Sequence, residues 1–172
     1  MIALRLVHLI EQQSDELAGS LTQKILSSDR TKGLREISAS ELHQRCHEIY
    51  RHLSEWVLNK TEPDIQSSFA ELGERAAARH APLADLTWAL ILTKENLLDF
   101  LRHEGTHHSA QMVWGELELL RSIDQFFDRA IYHVTVAYET RSADATRTAE
   151  VAHGHRMVDS LFAAAAFRSP LK

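Results

Sequence analysis

The chain has 172 residues, 44% of them apolar and 25% charged, the profile of one globular domain rather than of a disordered segment. Nineteen basic residues against 24 acidic ones give a formal net charge of −5 with no block of like charge, so no nucleic-acid partner is expected. The single cysteine, Cys46, excludes an internal disulfide and fits a reducing compartment, so a cytoplasmic setting is expected.

The apolar N-terminal run, Met1 to Ile10, is broken by Arg5 and His8 and lacks both a basic flank and a small-residue cleavage site, so it does not read as a secretory signal. No segment reaches the roughly 18 apolar residues of a membrane span. The longest candidate, Leu83 to Leu101, carries Asp85, Lys94, Glu95, Asn96 and Asp99, and reads as a buried helix of a soluble protein. Glycine and proline are scarce and no alternating strand pattern appears, so the expected fold is all-α.

In chain order, residues 2 to about 28 form a first amphipathic helix, with Leu6, Leu9, Ile10, Leu17, Leu21 and Ile25 at helical spacing. Ser27 to Gly33 is a polar break. A second helix starts at Ser38 and Glu41, a capping box flanked by Ile37 and Leu42 at staple positions, and continues with Cys46, Ile49, Leu53 and Trp56. Thr61, with Asp64 three residues on, opens a shorter third helix that carries Ile65, Phe69, Leu72 and Ala76 inward.

Pro82 starts a fourth helix that runs to about Glu104 and is apolar on more than one face, so it should be central. Gly105-Thr106 closes it. The fifth runs from about Ser109 to Tyr138 on a seam of Val113, Leu117, Leu120, Ile123, Phe127, Ala130, Val134 and Ala137. Residues 139 to 155 keep helical propensity but lose large apolar groups, which return at Met157, Val158, Leu161, Phe162 and Phe167. The expected organisation is a helical domain over 1–140 and a helical C-terminal extension over 141–172. That extension packs on the domain or on a partner subunit. The whole is an antiparallel helical bundle of about five to six helices, with a globin-like arrangement without haem as the alternative.

Histidine, with 11 copies, is the conspicuous candidate for chemistry. His43, Cys46 and His47 share one helical turn, a spacing that can place two imidazoles and a thiolate near one ion. Cys46 lies on the apolar seam, however, where a free cysteine is commonly a small hydrophobe, and the two histidines flank it. His103, His107 and His108 cluster at the break between the fourth and fifth helices, where they could complete such a site only if the fold brings them to His43 and His47. His80 and His133 are the candidates for a haem ligand, and both read better as ordinary histidines. Lys94, on an apolar helix with Asn96, either snorkels or lines a polar pocket. No nucleophile elbow, paired-carboxylate motif or phosphate-binding glycine loop is present. The reading is therefore of no catalytic, cofactor-binding or metal residues and no enzyme activity. A small-molecule, metal or haem-binding protein using the histidine clusters is the alternative.

Three stretches together resemble the N-terminal sensory domain of the RsbRD-type regulators, the RsbT co-antagonists of bacterial stress signalling. They are Leu72-Gly73-Glu74-Arg75, then Pro82-Leu83-Ala84-Asp85-Leu86, and Phe126-Phe127-Asp128-Arg129-Ala130-Ile131-Tyr132 followed by Val136-Ala137-Tyr138-Glu139. The resemblance covers about residue 10 to residue 140. It implies a non-catalytic sensory domain that dimerises and works on a signalling protein partner, with no residue identifying a ligand. Gly73, which costs about 1 kcal/mol inside a helix, is expected to permit a close helix contact. His80-Ala81 departs from the flexible, often glycine-containing lead-in to the long helix. A downstream output domain usually accompanies such domains; a standalone module is expected to signal by touching another protein.

Overall fold

The structure, a computed structural model, describes the backbone over residues 2–104 and 110–166 and the side chains over 5–57, 59–103 and 117–148. Among the described residues there is no strand, and six α-helices form the all-helical bundle expected from the sequence. They are α1 (Ile2–Gln12), α2 (Ser14–Ser27), α3 (Ala39–Arg51), α4 (Glu62–Ala78), α5 (Leu83–Glu104) and α6 (Ala110–Ala166). A 3-10 stretch, Asp29–Glu36, joins α2 to α3, and a π-helical turn, Glu55–Asn59, precedes α4.

The core is drawn from every helix: Val7 and Ile10, Leu21 and Ile25, Tyr50 with Leu53, Phe69, Leu97, and Ile123, Phe127 and Val134. Helix α6 is the strut on which α1, α4 and α5 pack, while α2 packs on α3 and α5. That division explains the first departure from the sequence reading. The expected first helix is two, jointed at Gln13 (φ −101°, ψ 17°) with the hydrogen bonds running through the joint, Gln13 N–H to Leu9 O and Leu17 N–H to Gln13 O, both 3.0 Å. The bend lets the inner face of α1 meet α6 while that of α2 meets α3 and α5.

The polar break is also ordered. Buried Thr31 donates its hydroxyl to Ile25 O at 2.5 Å, and Gly33 N–H donates to the Asp85 carboxylate at 2.7 Å. A Cβ on Gly33 would stand 2.7 Å from Pro82 Cδ, so the residue allows the 3-10 stretch to press on the start of α5. The capping residues expected at the next two helix starts are in place. The Ser38 hydroxyl accepts from Glu41 N–H at 3.1 Å, while the Glu41 carboxylate pairs with Arg45. In α4 the Asp64 carboxylate accepts from Thr61 N–H and O–H at 2.9 and 2.7 Å, bonds that hold its pKa below the usual range.

Two seams shift by a position or two. In α4 the buried small residues are Gly73 and Ala77, with Ala76 only half-buried. In α6 the inward stripe runs Leu119, Ile123, Phe126, Phe127, Ala130, Val134, and Leu117, placed on the seam by the sequence, is 51% exposed. A position two residues from Leu119 lies about 200° around the helix, so both cannot face inward. Val113 lies outside the described side chains. Helix α6 does not end near Tyr138 but continues as one helix to Ala166.

Candidate functional site

Helix α3 is held by α1 and α2, and α4 by α6. Between α3 on one side and α4 and α5 on the other lies a cleft of about 810 Å³. Its wall is apolar, with Trp56, Phe69, Leu72 and Leu86, and its floor holds buried Cys46, Leu90 and Thr93. Trp56 and Phe69 meet edge to face at 5.8 Å, and Phe69 meets Phe126 of α6 at 5.6 Å, which fixes the wall to the strut. The rim is charged: Arg45, Lys60, Arg75 and Arg79, with Glu48, Glu55 and His52.

The π-helical turn shapes that rim. Lys60 N–H donates to Glu55 O at 2.7 Å, and the turn is anchored from behind by the Glu11 carboxylate, which accepts from the Ser54 amide at 3.2 Å and from its hydroxyl. The widened turn puts Trp56 into the cleft with Lys60 Nζ 5.6 Å from its ring centre. On the opposite rim, α4 ends in a paired C-terminal motif, with Ala81 N–H bonded to Ala76 O and His80 N–H to Ala77 O, both 3.0 Å. His80 holds the left-handed position (φ 56°) that glycine usually takes there.

Behind the floor runs a buried polar network. The Tyr50 hydroxyl donates to Thr93 O at 3.1 Å and accepts from Asn96 Nδ2 at 3.2 Å. Asn96 Nδ2 also donates to Leu17 O at 3.1 Å, and its oxygen accepts from Ser20 at 3.1 Å. Burial raises the Tyr50 pKa, so the phenol stays protonated. Burial likewise pushes the Cys46 thiol up to about 11, against a smaller opposing effect of the Thr22 hydroxyl. A neutral buried thiol is a poor nucleophile and a poor metal ligand.

Among the described residues the histidines do not converge on one site. His43 Nε2 lies 3.3 Å from Asp15 O and 3.6 Å from its carboxylate on α2, and stacks on His47 at 6.5 Å, while Cys46 turns to the cleft. His103 Nδ1 sits 2.7 Å from Asp99 O of its own helix, and His107 and His108 lie outside the described residues. Among the described residues no three His, Cys, Asp or Glu come together as a metal-binding group. His133, nearly buried, meets Glu62 at 2.8 Å, and the same carboxylate meets Arg129 at 3.1 Å. Lys94 carries its ammonium from the apolar face of α5 out to the exposed carboxylates of Asp124 and Asp128 on α6, at 2.9 and 3.3 Å, as a snorkelling lysine does, and ties α5 to the strut. Arg75 pairs with Glu71 on its own helix at 2.9 Å.

The network, the π-helical turn and the cleft are not expected from the sequence; only the polarity of Asn96 on an apolar helix hints at the first. A family model, described as the RsbT co-antagonist protein rsbRD N-terminal domain, matches residues 15–153 and so reaches past residue 140 into the extension. No curated protein and no solved structure matches the chain.

Proposed function

The chain belongs to the family of RsbT co-antagonist rsbRD N-terminal domains, and we propose from this premise that it is a non-catalytic module of bacterial signal transduction that acts by protein contact, as a homodimer paired along α6. The family is one of regulatory stress-signalling domains, and the stretches that carry the resemblance are helix punctuation and core rather than reactive residues. Among the described residues no helix is long and apolar enough to cross a membrane, which fits the cytoplasmic setting of this reading.

The observation that carries the proposal is the length of α6. At about 1.5 Å per residue its 57 residues extend for about 85 Å, against about 33 Å for the 22 residues of α5. Most of Glu139 to Thr148 is exposed, and Tyr132 and Val136 stand 63% and 44% exposed one turn apart. Helices owe most of their stability to packing, so this length of uncovered helix favours a partner, and a second copy supplies one by symmetry. Further on, Met157, Val158, Leu161 and Phe162 have the spacing of a helical stripe. A continuous helix over 110–166 favours packing of this stripe on a partner over folding back.

The test is light scattering after size exclusion on the full chain and on Tyr132→Glu/Val136→Glu. A dimer that becomes a monomer with unchanged helical circular dichroism supports the reading. A monomeric parent chain, or a dimer indifferent to both substitutions, overturns it.

A further inference from the structure

We propose that the cleft between α3 and α4 is a binding site for a small amphipathic anion, its apolar tail on the Trp56–Phe69–Leu86 wall and its head at the basic rim. Its volume, about 810 Å³, lies within the roughly 300–1,000 Å³ of small-molecule sites. Trp56, Leu72 and Leu86 are only partly buried there although they pack against the core, so an apolar occupant removes surface that the bundle itself leaves wet.

The floor selects a tail and not a head. Thr93 Oγ1 donates to Ala89 O at 2.8 Å, its carbonyl accepts from Tyr50, and the Cys46 thiol is neutral, so these groups are already partnered or uncharged. A charged head placed among them would lose water without gaining a partner.

The rim selects the sign. Four basic side chains, Arg45, Lys60, Arg75 and Arg79, stand against two carboxylates, Glu48 and Glu55, in a chain whose net charge is −5. Arg45 and Arg75 have carboxylate neighbours on their own helices, Glu41 and Glu71, in exposed i,i+4 pairs that hold them weakly. The π-helical turn and the left-handed His80, two backbone departures on opposite sides of the mouth, set Lys60 and Arg79 there.

This inference goes beyond the regulatory reading, and its test reads ligand binding without reference to dimer formation, so either can fail alone. The full chain is titrated with a dansyl-labelled undecanoate, followed by dansyl fluorescence, and the probe is competed with dodecanoate and dodecyltrimethylammonium below their micelle concentrations and with dodecanol below its solubility limit. Saturable one-to-one binding, displaced by dodecanoate and far less by the cation or the alcohol, is the expected result. Arg75→Glu/Arg79→Glu, at two exposed positions, should weaken the probe roughly tenfold or more while the helical signal remains. Ala89→Phe, at a buried small residue that also lines the cleft beside Leu90, should abolish binding while the helical signal remains. Absence of saturable binding, equal competition by the ammonium or the alcohol, or unchanged affinity in the arginine variant overturns the assignment.

Discussion

Gly73 of α4 lies against the carbonyl of Val134 on α6: a Cβ built on Gly73 would stand 2.3 Å from that oxygen and 3.1 Å from Tyr138 N. Backbone, not a flexible side chain, occupies the space, so α4 and α6 approach as closely as they do because residue 73 has no side chain. This is the close contact that the cost of a mid-helix glycine points to in the sequence.

Gly73→Ala should therefore destabilise the fold by about 2–3 kcal/mol, although alanine alone is favoured in a helix by about 1 kcal/mol. Urea unfolding followed by circular dichroism measures it. A midpoint equal to or above that of the parent would mean that the two helices do not meet at this point.

The Asn96 network makes a second expectation. Asn96→Leu leaves Leu17 O and Ser20 without their partner and should cost about 2–3 kcal/mol, whereas Tyr50→Phe should cost about 1–2 kcal/mol. Because Asn96 and Tyr50 share a hydrogen bond, the double variant should lose less than the two losses added. Strict additivity in the unfolding energies would speak against the network.

At His80 the expectation has the opposite sign. Its φ of 56° is a conformation that costs a non-glycine residue about 1 kcal/mol, so His80→Gly should raise the melting temperature by a few degrees and His80→Val should lower it. A lower melting point for the glycine variant would contradict the left-handed cap.

Cys46 gives a pH dependence. Its thiol rises from an ordinary 9.0 to about 11 in the fold, so the folded chain keeps a proton that the unfolded chain releases. The stability due to the neutral thiol is complete below pH 9 and is lost as the pH climbs towards 11, by something on the order of 2–3 kcal/mol. Tyr50, also raised, adds to the decline at the alkaline end. Unfolding of Cys46→Ala across this range should show a shallower decline than the parent; parallel curves would show that the thiol is not desolvated.

Much of the bundle is legible in local chemistry alone. Ser38, Thr61 and Pro82 mark the starts of α3, α4 and α5 through capping and φ restriction, signals that act within a few residues. The features that stay hidden in the sequence depend on distant pairings. The joint at Gln13 has no glycine or proline to announce it, and the seam through Leu53 and Trp56 keeps its helical spacing across the π-helical turn. Asn96 is visible as a polar residue on an apolar helix, but its partners come from α2 and α3. Trp56, Phe69, Leu72 and Leu86 read as core because apolar spacing cannot distinguish a wall that meets another helix from one that faces a cleft. The match to the rsbRD N-terminal domains agrees with the order of three short stretches, each made mostly of core and helix punctuation.

The pairing of two chains along α6 is tested most directly by native mass spectrometry of the full chain over a range of concentrations. Pairing predicts twice the chain mass as the dominant species at micromolar concentration. A chain that stays monomeric throughout would contradict it and leave the exposed face of Tyr132 and Val136 without the partner that a second copy would supply.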